Sequence, residues 1–324
     1  MKSISEADIT TGTRVFVRCD LDIAMKNGEI NETYRLEADI PTLKLIIDRG
    51  GIPIIAGHMG RPGGKYVEEF STKQLKPFFD KELGAGNYEL LENLRFDPRE
   101  EENSAEFAKE LIQKTGAQIY VNESFTTAHR AHTSTTQLPK LLPAYAGLRL
   151  LEEVRVLGGL LKNPKRPLVM IAGGAKLATK KPVIKKLLTI ADEVLVGGRI
   201  GMEWNEEKPA NLHVPVDYVD DFDIGKETIN QFAEIVSTAK TIIWAGPMGK
   251  YEDEKYIVGT ELLAEEVIAS DAYTVVGGGD IIAALRDLEL LDLFGYVSVG
   301  GGAMLDFLER GNLPALEVLG YNPK

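Results

Sequence analysis

The sequence predicts an α/β protein of two domains built on mostly parallel sheets. Three observations carry this. The chain has 324 residues, which fits about two domains of roughly 150 residues each. Apolar, β-branched runs alternate with helical patterns along the whole length, as βαβ units do. Runs such as LVMIA (168–172) and TVV (274–276) are apolar throughout, as parallel strands covered on both faces are.

The elements follow in order. Strands are expected at residues 14–19, 53–56, 118–121, 168–172, 193–196, 241–245, 273–276 and 296–299, where β-branched and aromatic residues concentrate. Helices are expected between them, at 38–49, 72–83, 104–114, 152–162, 226–238, 262–270, 281–288 and 303–309. The stretch LRLLEEVRVLGGLLKNPKRP (148–167), at an expected boundary near 147–166, begins as an amphipathic helix and ends in a polar turn containing proline. It reads either as a helix joining two domains or as an ordinary surface helix. No short-period repeat or low-complexity segment interrupts the pattern.

Composition narrows the class. Apolar residues make up 44% and charged residues 27%, which excludes whole-chain disorder, collagen and coiled coil. No run of about 18 apolar residues occurs, so no membrane helix is expected. The start, MKSISEADIT, lacks the apolar core of a secretory signal. A single cysteine, Cys19, leaves no internal disulfide and fits a reducing cytoplasm. Cys/His zinc spacing is absent. A net charge of −12 argues against general nucleic-acid binding.

In the second half each expected strand runs into glycine: IAGGAK (171–176), LVGGR (195–199), WAGPMG (244–249), VVGGGD (275–280) and VSVGGGA (297–303). Ligands of open parallel sheets bind beyond the strands' carboxyl ends. Glycine there lets backbone N–H groups approach a ligand, and the following helix N-terminus suits phosphate. Five such turns favour a phosphate or nucleotide site over packing alone. Neither G-x-x-x-x-G-K-[ST] nor a G-x-G-x-x-G after the first strand is present, so a P-loop is excluded and a dinucleotide site disfavoured. Lys176 and Lys180 are four apart, so on a helix both address one phosphate chain or form a solvated pair. Asp280 precedes a helical pattern, where an acid caps the helix or holds Mg²⁺.

The first half supplies cations in an acidic chain. Arg18, Arg35, Arg61, Arg95 and Arg130, with His58, His129 and His132, mostly follow strand ends. Convergent arginines recognise phosphate and carboxylate in two-pronged fashion; scattered salt bridges are the alternative. Arg18 and Asp22 fall on one face of an extended strand with Asp20, and are expected to form a partly neutral pair.

At these residues the chain resembles phosphoglycerate kinases. The resemblance rests on RCDLD (18–22), YRLEADIPTL (34–43), GHMGRP (57–62), LLENLRF (90–96) and YVNESFTTAHRAHTST (120–135), then GGAK (173–176), WAGPMG, GGGD (277–280) and VSVGGGA. It covers most of the chain in order. It implies two Rossmann-like three-layer α/β/α domains with parallel sheets, joined by a helix and hinge. These would be 1–150 for phosphoglycerate and 151–303 for nucleotide, with 304–324 returning to the first domain. Asp20, Asp22, Arg35, His58, Arg61, Arg95 and Arg130 would hold the acid substrate. Arg35 and Lys176 would stabilise the transferring phosphoryl group. Gly174, Ala175, Lys180, Gly198, Pro247, Glu252, Gly278, Gly279, Asp280 and Ile281 would bind ATP or ADP, with Asp280 on Mg²⁺. The partners are 3-phosphoglycerate or 1,3-bisphosphoglycerate and Mg-nucleotide, with no nucleic acid or membrane, in a cytoplasmic monomer.

The chain departs from the family pattern in places. It is shorter, with material missing between Leu83 and Leu90 and after Met202. Thr126, Thr179, Arg199, Ala245, Ile281, Val299 and Asp22 replace residues usual in the family, mostly on the nucleotide side. Each lost hydrogen bond costs about 1 kcal/mol, so a weak nucleotide site is expected. A glycolytic kinase is the leading reading. A non-catalytic phosphoglycerate-binding homologue and a kinase of another small carboxylate are the alternatives.

Overall fold

Among the described residues, eleven parallel strands in two separate sheets lead into the arginine-bearing and glycine-rich segments at their carboxyl ends. The computed structural model describes residues 1–26, 29–175 and 177–323. The chain divides into two units, Met1–Val156 with Asn312–Lys324, and Leu157–Gly311.

Unit 1 contains β1 (Arg14–Arg18), a small hairpin of β2 (Met25–Lys26) and β3 (Glu29–Ile30), α1 (Tyr34–Asp48), β4 (Ile52–Ala56), α2 (Lys76–Leu83), β5 (Glu89–Leu90), α3 (Ala105–Thr115), β6 (Ile119–Asn122) and β7 (Ala144–Ala146). The sheet order is β5-β4-β1-β6-β7, and every pair is parallel. Chain order reverses between β1 and β6, which is where such sheets bind ligands. On one face Val15, Val17 and Cys19 pack against Leu36, Ile40 and Leu43 of α1 and Phe79 of α2. Phe16, Arg18 and Tyr120 alternate to the other face, where the Phe16 and Tyr120 rings stack at 6.1 Å. The helix α3 shows how local chemistry sets an end: the Ser104 side chain accepts from Phe107 N–H, and Gly116 closes it at φ 62°.

Helix α4 (Leu148–Lys162) carries the chain from one unit into the other. Unit 2 contains β8 (Leu168–Ala172), α5 (Leu177–Leu187), β9 (Glu193–Val196), α6 (Gly198–Met202), β10 (Leu212–His213), a hairpin of β11 (Tyr218–Val219) and β12 (Asp223–Ile224), α7 (Lys226–Thr238), β13 (Thr241–Ala245), α8 (Val258–Ala269), β14 (Tyr273–Gly277), α9 (Gly279–Asp287), β15 (Tyr296–Ser298) and α10 (Gly302–Arg310). Its sheet runs β10-β9-β8-β13-β14-β15, parallel throughout, and reverses between β8 and β13. Val169, Ile171, Ile242 and Trp244 face a core shared with α7, α8 and α9. Gly277 faces the other side, where a Cβ would lie 2.5 Å from the Met304 sulfur of α10. Helices therefore cover both faces. Finally α11 (Pro314–Val318) belongs with unit 1.

The two units divide at 156/157 and 311/312, where the expected divisions were 150/151 and 303/304. Residues 304–311 stay in unit 2 because Met304, Phe307 and Leu308 are buried on α10, which packs on α5. Helix α1 starts at Tyr34 rather than residue 38, because Pro41 sits inside the helix and does not mark its first turn; Arg35 is thereby placed on the opening turn. Among the described residues no helix is long and apolar enough to cross a membrane.

Candidate active site

The carboxyl ends of β1, β4 and β5 gather the cations of unit 1. Arg18 ends β1 and is 1% exposed. Its Nε donates to Ser134 Oγ at 2.9 Å, and one terminal nitrogen to the Cys19 carbonyl. The other terminal nitrogen lies 3.0 Å from His58 Nδ1. A guanidinium only donates, so Nδ1 accepts and the ring proton sits on Nε2. That nitrogen is 3.5 Å from Asp22 Oδ2. The expected Arg18–Asp22 pair is therefore not direct, because a neutral imidazole stands between the two charges.

Asp22 also accepts from Gly60 N–H at 2.8 Å. Burial works to raise its carboxyl, but the His58 and Gly60 donors and the charge of Arg35 hold it well below the usual carboxylate range. Arg35, from the first turn of α1, donates to the Asp22 carbonyl at 2.7 Å. Its Nε lies 3.8 Å from Asp20 Oδ2. Asp20 is buried, and its carboxyl is raised by that burial, with Arg35 opposing.

Arg95 follows β5 and is 2% exposed. It donates to Gly60 O at 2.9 Å and pairs with Glu101 at 3.1 Å, while its buried Nη2 has no hydrogen-bond partner among the described residues. Arg130 donates to His129 Nε2 at 3.2 Å. His132 is held at a pKa of about 3 by burial and by the charges of Arg95, Arg18 and Arg130. His58 is likewise lowered to about 3, first by burial, with the Asp22 hydrogen bond opposing and Arg18 and Arg95 adding to the drop. Three guanidiniums, Arg18, Arg95 and Arg130, thus bear on two neutral imidazoles. Arg61 stands apart: it is exposed.

Such a cluster suits a small anion. Titrated by NMR, free protein should show His58 and His132 protonating well below the ordinary 6.5. Added 3-phosphoglycerate should raise both values, because the anion offsets the arginines. By reciprocity, lower pH then tightens anion binding. Histidines titrating near 6.5 in free protein would contradict the burial and charge described here. Asp22→Asn keeps the acceptor for Gly60 N–H and removes a negative charge from the site. Phosphoglycerate affinity, read by calorimetry, should stay level or improve; a large loss would make Asp22 itself a ligand.

In unit 2 a pocket of about 490 Å³ opens beside the switch point, lined by Gly174, Ala175, Gly198, Pro247, Glu252 and Asp280 among others. The turns after β8 and β13 lock together there. Gly174 N–H donates to Pro247 O at 2.9 Å, and a Cβ at Gly173 would lie 2.0 Å from that same oxygen. Packing therefore explains Gly173, whereas a Cβ at Gly279, Gly301 or Gly302 would meet nothing within 4 Å, which leaves those turns open.

Lys180, on α5, donates to the carbonyls of Gly173 and, at 3.4 Å, Ala245. Burial lowers it to about 8, with the charge of Asp280 opposing. Asp280 lies within the first turn of α9, while Gly278 is the N-cap. It therefore does not cap the helix, and is exposed at the end where negative charge is favoured. One carboxylate with no further cluster of metal-binding side chains among the described residues suits Mg²⁺ held mainly by phosphates and water. Ile281 is fully buried in the core, so its side chain takes no part in the pocket. Lys180, Gly278 and Gly279 do not line it. Lys176 lies outside the described residues.

Sequence reasoning missed the pocket's outer wall. Met202, Glu203, Asp221, Phe222, Lys250 and Tyr251 line it, with Phe222 on the turn of the β11–β12 hairpin. Arg199 lines it too, paired with Glu203 along α6. A signal existed in DDFDIG (220–225), whose acids favour a tight turn.

Comparison with known proteins agrees with this geometry. The family model described as phosphoglycerate kinase matches residues 4–84, 78–212 and 205–311, and its breaks fall where material was expected to be missing. A phosphoglycerate kinase from Leptospira biflexa is 36% identical, covering 95% of this chain and 96% of its own; the alignment spans 383 positions, more than the chain can fill without gaps. One from Borreliella burgdorferi is 32% identical over 98% of this chain and 99% of its own. The structure of phosphoglycerate kinase from Coxiella burnetii superposes with a TM-score of 0.84 at 33% identity, covering 99% of both chains. That from Pyrococcus horikoshii gives 0.85 at 25%, covering 99% of this chain and 98% of its own.

Proposed function

The chain belongs to the phosphoglycerate kinase family, and on that premise we propose that it catalyses reversible phosphoryl transfer between 1,3-bisphosphoglycerate and ADP, giving 3-phosphoglycerate and ATP in glycolysis. The observation that supports the reading best is the cluster of Arg18, Arg95 and Arg130 around His58 and His132, with a buried Arg95 nitrogen left without a hydrogen-bond partner among the described residues. It suits a small, doubly anionic substrate. No comparison favours the non-catalytic alternative.

Asp20, Arg35, His58, Arg61, Arg95 and Arg130 hold the acid substrate in this proposal, while Asp22 engages His58 and the Gly60 N–H rather than the substrate. The unit 2 pocket holds the nucleotide through Gly174, Ala175, Gly198, Pro247 and Glu252, with Lys180 released from its carbonyls onto a phosphate. Asp280 would hold Mg²⁺, which supplies charge neutralisation on the phosphates when bound. Transfer proceeds in line, with no covalent enzyme intermediate, so the chain's work is positioning and neutralising. Arg35 and Lys176 neutralise the transferring group. Ligands held on different units must be brought within reach at the moment of transfer, so a hinge motion belongs to the proposal, as do a monomeric state and a cytoplasmic location.

Thermal melting tests the two sites separately. Ligand at a hundred times its dissociation constant stabilises by about 2.7 kcal/mol. 3-Phosphoglycerate should raise the midpoint at low concentration, and Mg-ADP only at millimolar concentration. No shift with Mg-ADP at any concentration would remove the kinase reading in favour of a phosphoglycerate-binding homologue.

A further inference from the structure

The wall of the unit 2 pocket that includes Gly249, Lys250, Tyr251 and Glu252 belongs to the loop between β13 and α8. Three of the hydrogen bonds that hold that loop tie its ends to neighbouring segments. Met248 N–H donates to Thr260 Oγ1 at 2.9 Å, and Lys250 N–H donates to Phe222 O at 2.9 Å. Gly259 N–H, in the first turn of α8, donates to Asp223 Oδ2 at 2.7 Å.

Asp223 is 2% exposed and does not line the pocket. Its Oδ1 accepts from Ile224 N–H at 2.8 Å. Among the described residues no lysine or arginine forms an ion pair with it, and burial raises its carboxyl to about 6. A buried carboxylate without a cation is costly unless backbone donors satisfy it. Here the donors are the loop's far end and its own strand. The loop's near end is packed on the same group: a Cβ at Gly249 would lie 2.3 Å from Asp223 Oδ1, and one at Gly259 2.4 Å. Glycine at both places lets one carboxylate sit against both ends of the loop.

We propose that Asp223 is the positioning residue of the nucleotide pocket: its carboxylate fixes both ends of the loop carrying Lys250, Tyr251 and Glu252, and so sets nucleotide affinity without touching the nucleotide. This rests on the nucleotide reading of the pocket. It adds a role for a residue that no strand-end motif marks.

Steady-state kinetics with Mg-ATP and 3-phosphoglycerate test it. Asp223→Asn keeps the shape but turns an NH₂ group toward a backbone donor. The nucleotide KM should rise about tenfold, the scale of one lost charge-assisted hydrogen bond. The phosphoglycerate KM, and kcat at saturating nucleotide, should stay within about twofold, since uniform binding of one substrate alone is lost. Thr260→Val, which removes the acceptor for Met248 N–H, should give the same split with a smaller rise, and decides the matter if the Asn variant does not fold. An unchanged nucleotide KM in the folded variants, or an equal rise for both substrates, overturns the proposal. Wild-type protein without turnover would instead refute the kinase reading itself.

Discussion

Lys176→Ala should lower turnover about a hundredfold to a thousandfold, the usual cost of removing one group that stabilises developing charge. Phosphoglycerate affinity should barely change. The two outcomes differ because only contacts stronger in the transition state than in the ground state raise the rate. In the sequence Lys176 comes four residues after the end of β8 and four before Lys180. In the proposal Lys180 goes to a nucleotide phosphate, which leaves the transferring group to Lys176. Single-turnover rates with equilibrium binding of 3-phosphoglycerate separate the two quantities. A variant keeping more than about a tenth of the rate would contradict the assignment, because a charged transition-state contact supplies several kcal/mol.

Arg18→Met should be the most destabilising single change in unit 1. Arg18 does not merely border the site. It donates to Ser134 Oγ at 2.9 Å, and that hydroxyl donates to the buried Glu100 at 2.5 Å. Burial raises the Glu100 carboxyl, and the charge of Arg18 is the first influence opposing it. Methionine fills much of the volume but leaves Glu100 without its counter-charge and His58 Nδ1 without its donor. Breaking a buried charge network from one side costs about 3–5 kcal/mol. In a domain of this size each kcal/mol moves the melting midpoint by about 2–4 °C. Calorimetry should therefore show the midpoint of the variant lowered by about 6–20 °C, with phosphoglycerate binding lost. A midpoint within a degree or two of wild type would mean that the network contributes little.

The central strands were legible because their burial writes itself as continuous apolar runs. LVMIA, EVLV and TIIWA form β8, β9 and β13 at the expected residues. The edges were not. β5 and β10 are two residues long, too short for any periodicity, and are fixed by pairing with β4 and β9. The same holds for the β11–β12 hairpin, whose turn supplies Phe222 to the pocket. Site residues at strand ends could be named individually, yet their partners could not. The alternation of a strand put Arg18 and Asp22 on one side, but nothing in it foretold that His58, from the end of β4, would stand between them. Asp280 illustrates the converse. Its place before a helical pattern fitted a cap, and Gly278 took that position instead. Asp223 lies in the DDFDIG turn signal, but nothing there marked its role, which comes from two glycines distant in sequence, Gly249 and Gly259.

The most direct measurement is a coupled assay of the whole chain with 3-phosphoglycerate and Mg-ATP, following 1,3-bisphosphoglycerate formation. The phosphoglycerate kinase account predicts turnover that requires both substrates and Mg²⁺, saturates at low phosphoglycerate, and needs millimolar nucleotide because Ala245, Ile281 and Val299 are apolar and buried and offer it no side-chain hydrogen bond. No turnover at saturating concentrations of both substrates, or turnover only when another small carboxylate replaces 3-phosphoglycerate, would contradict it.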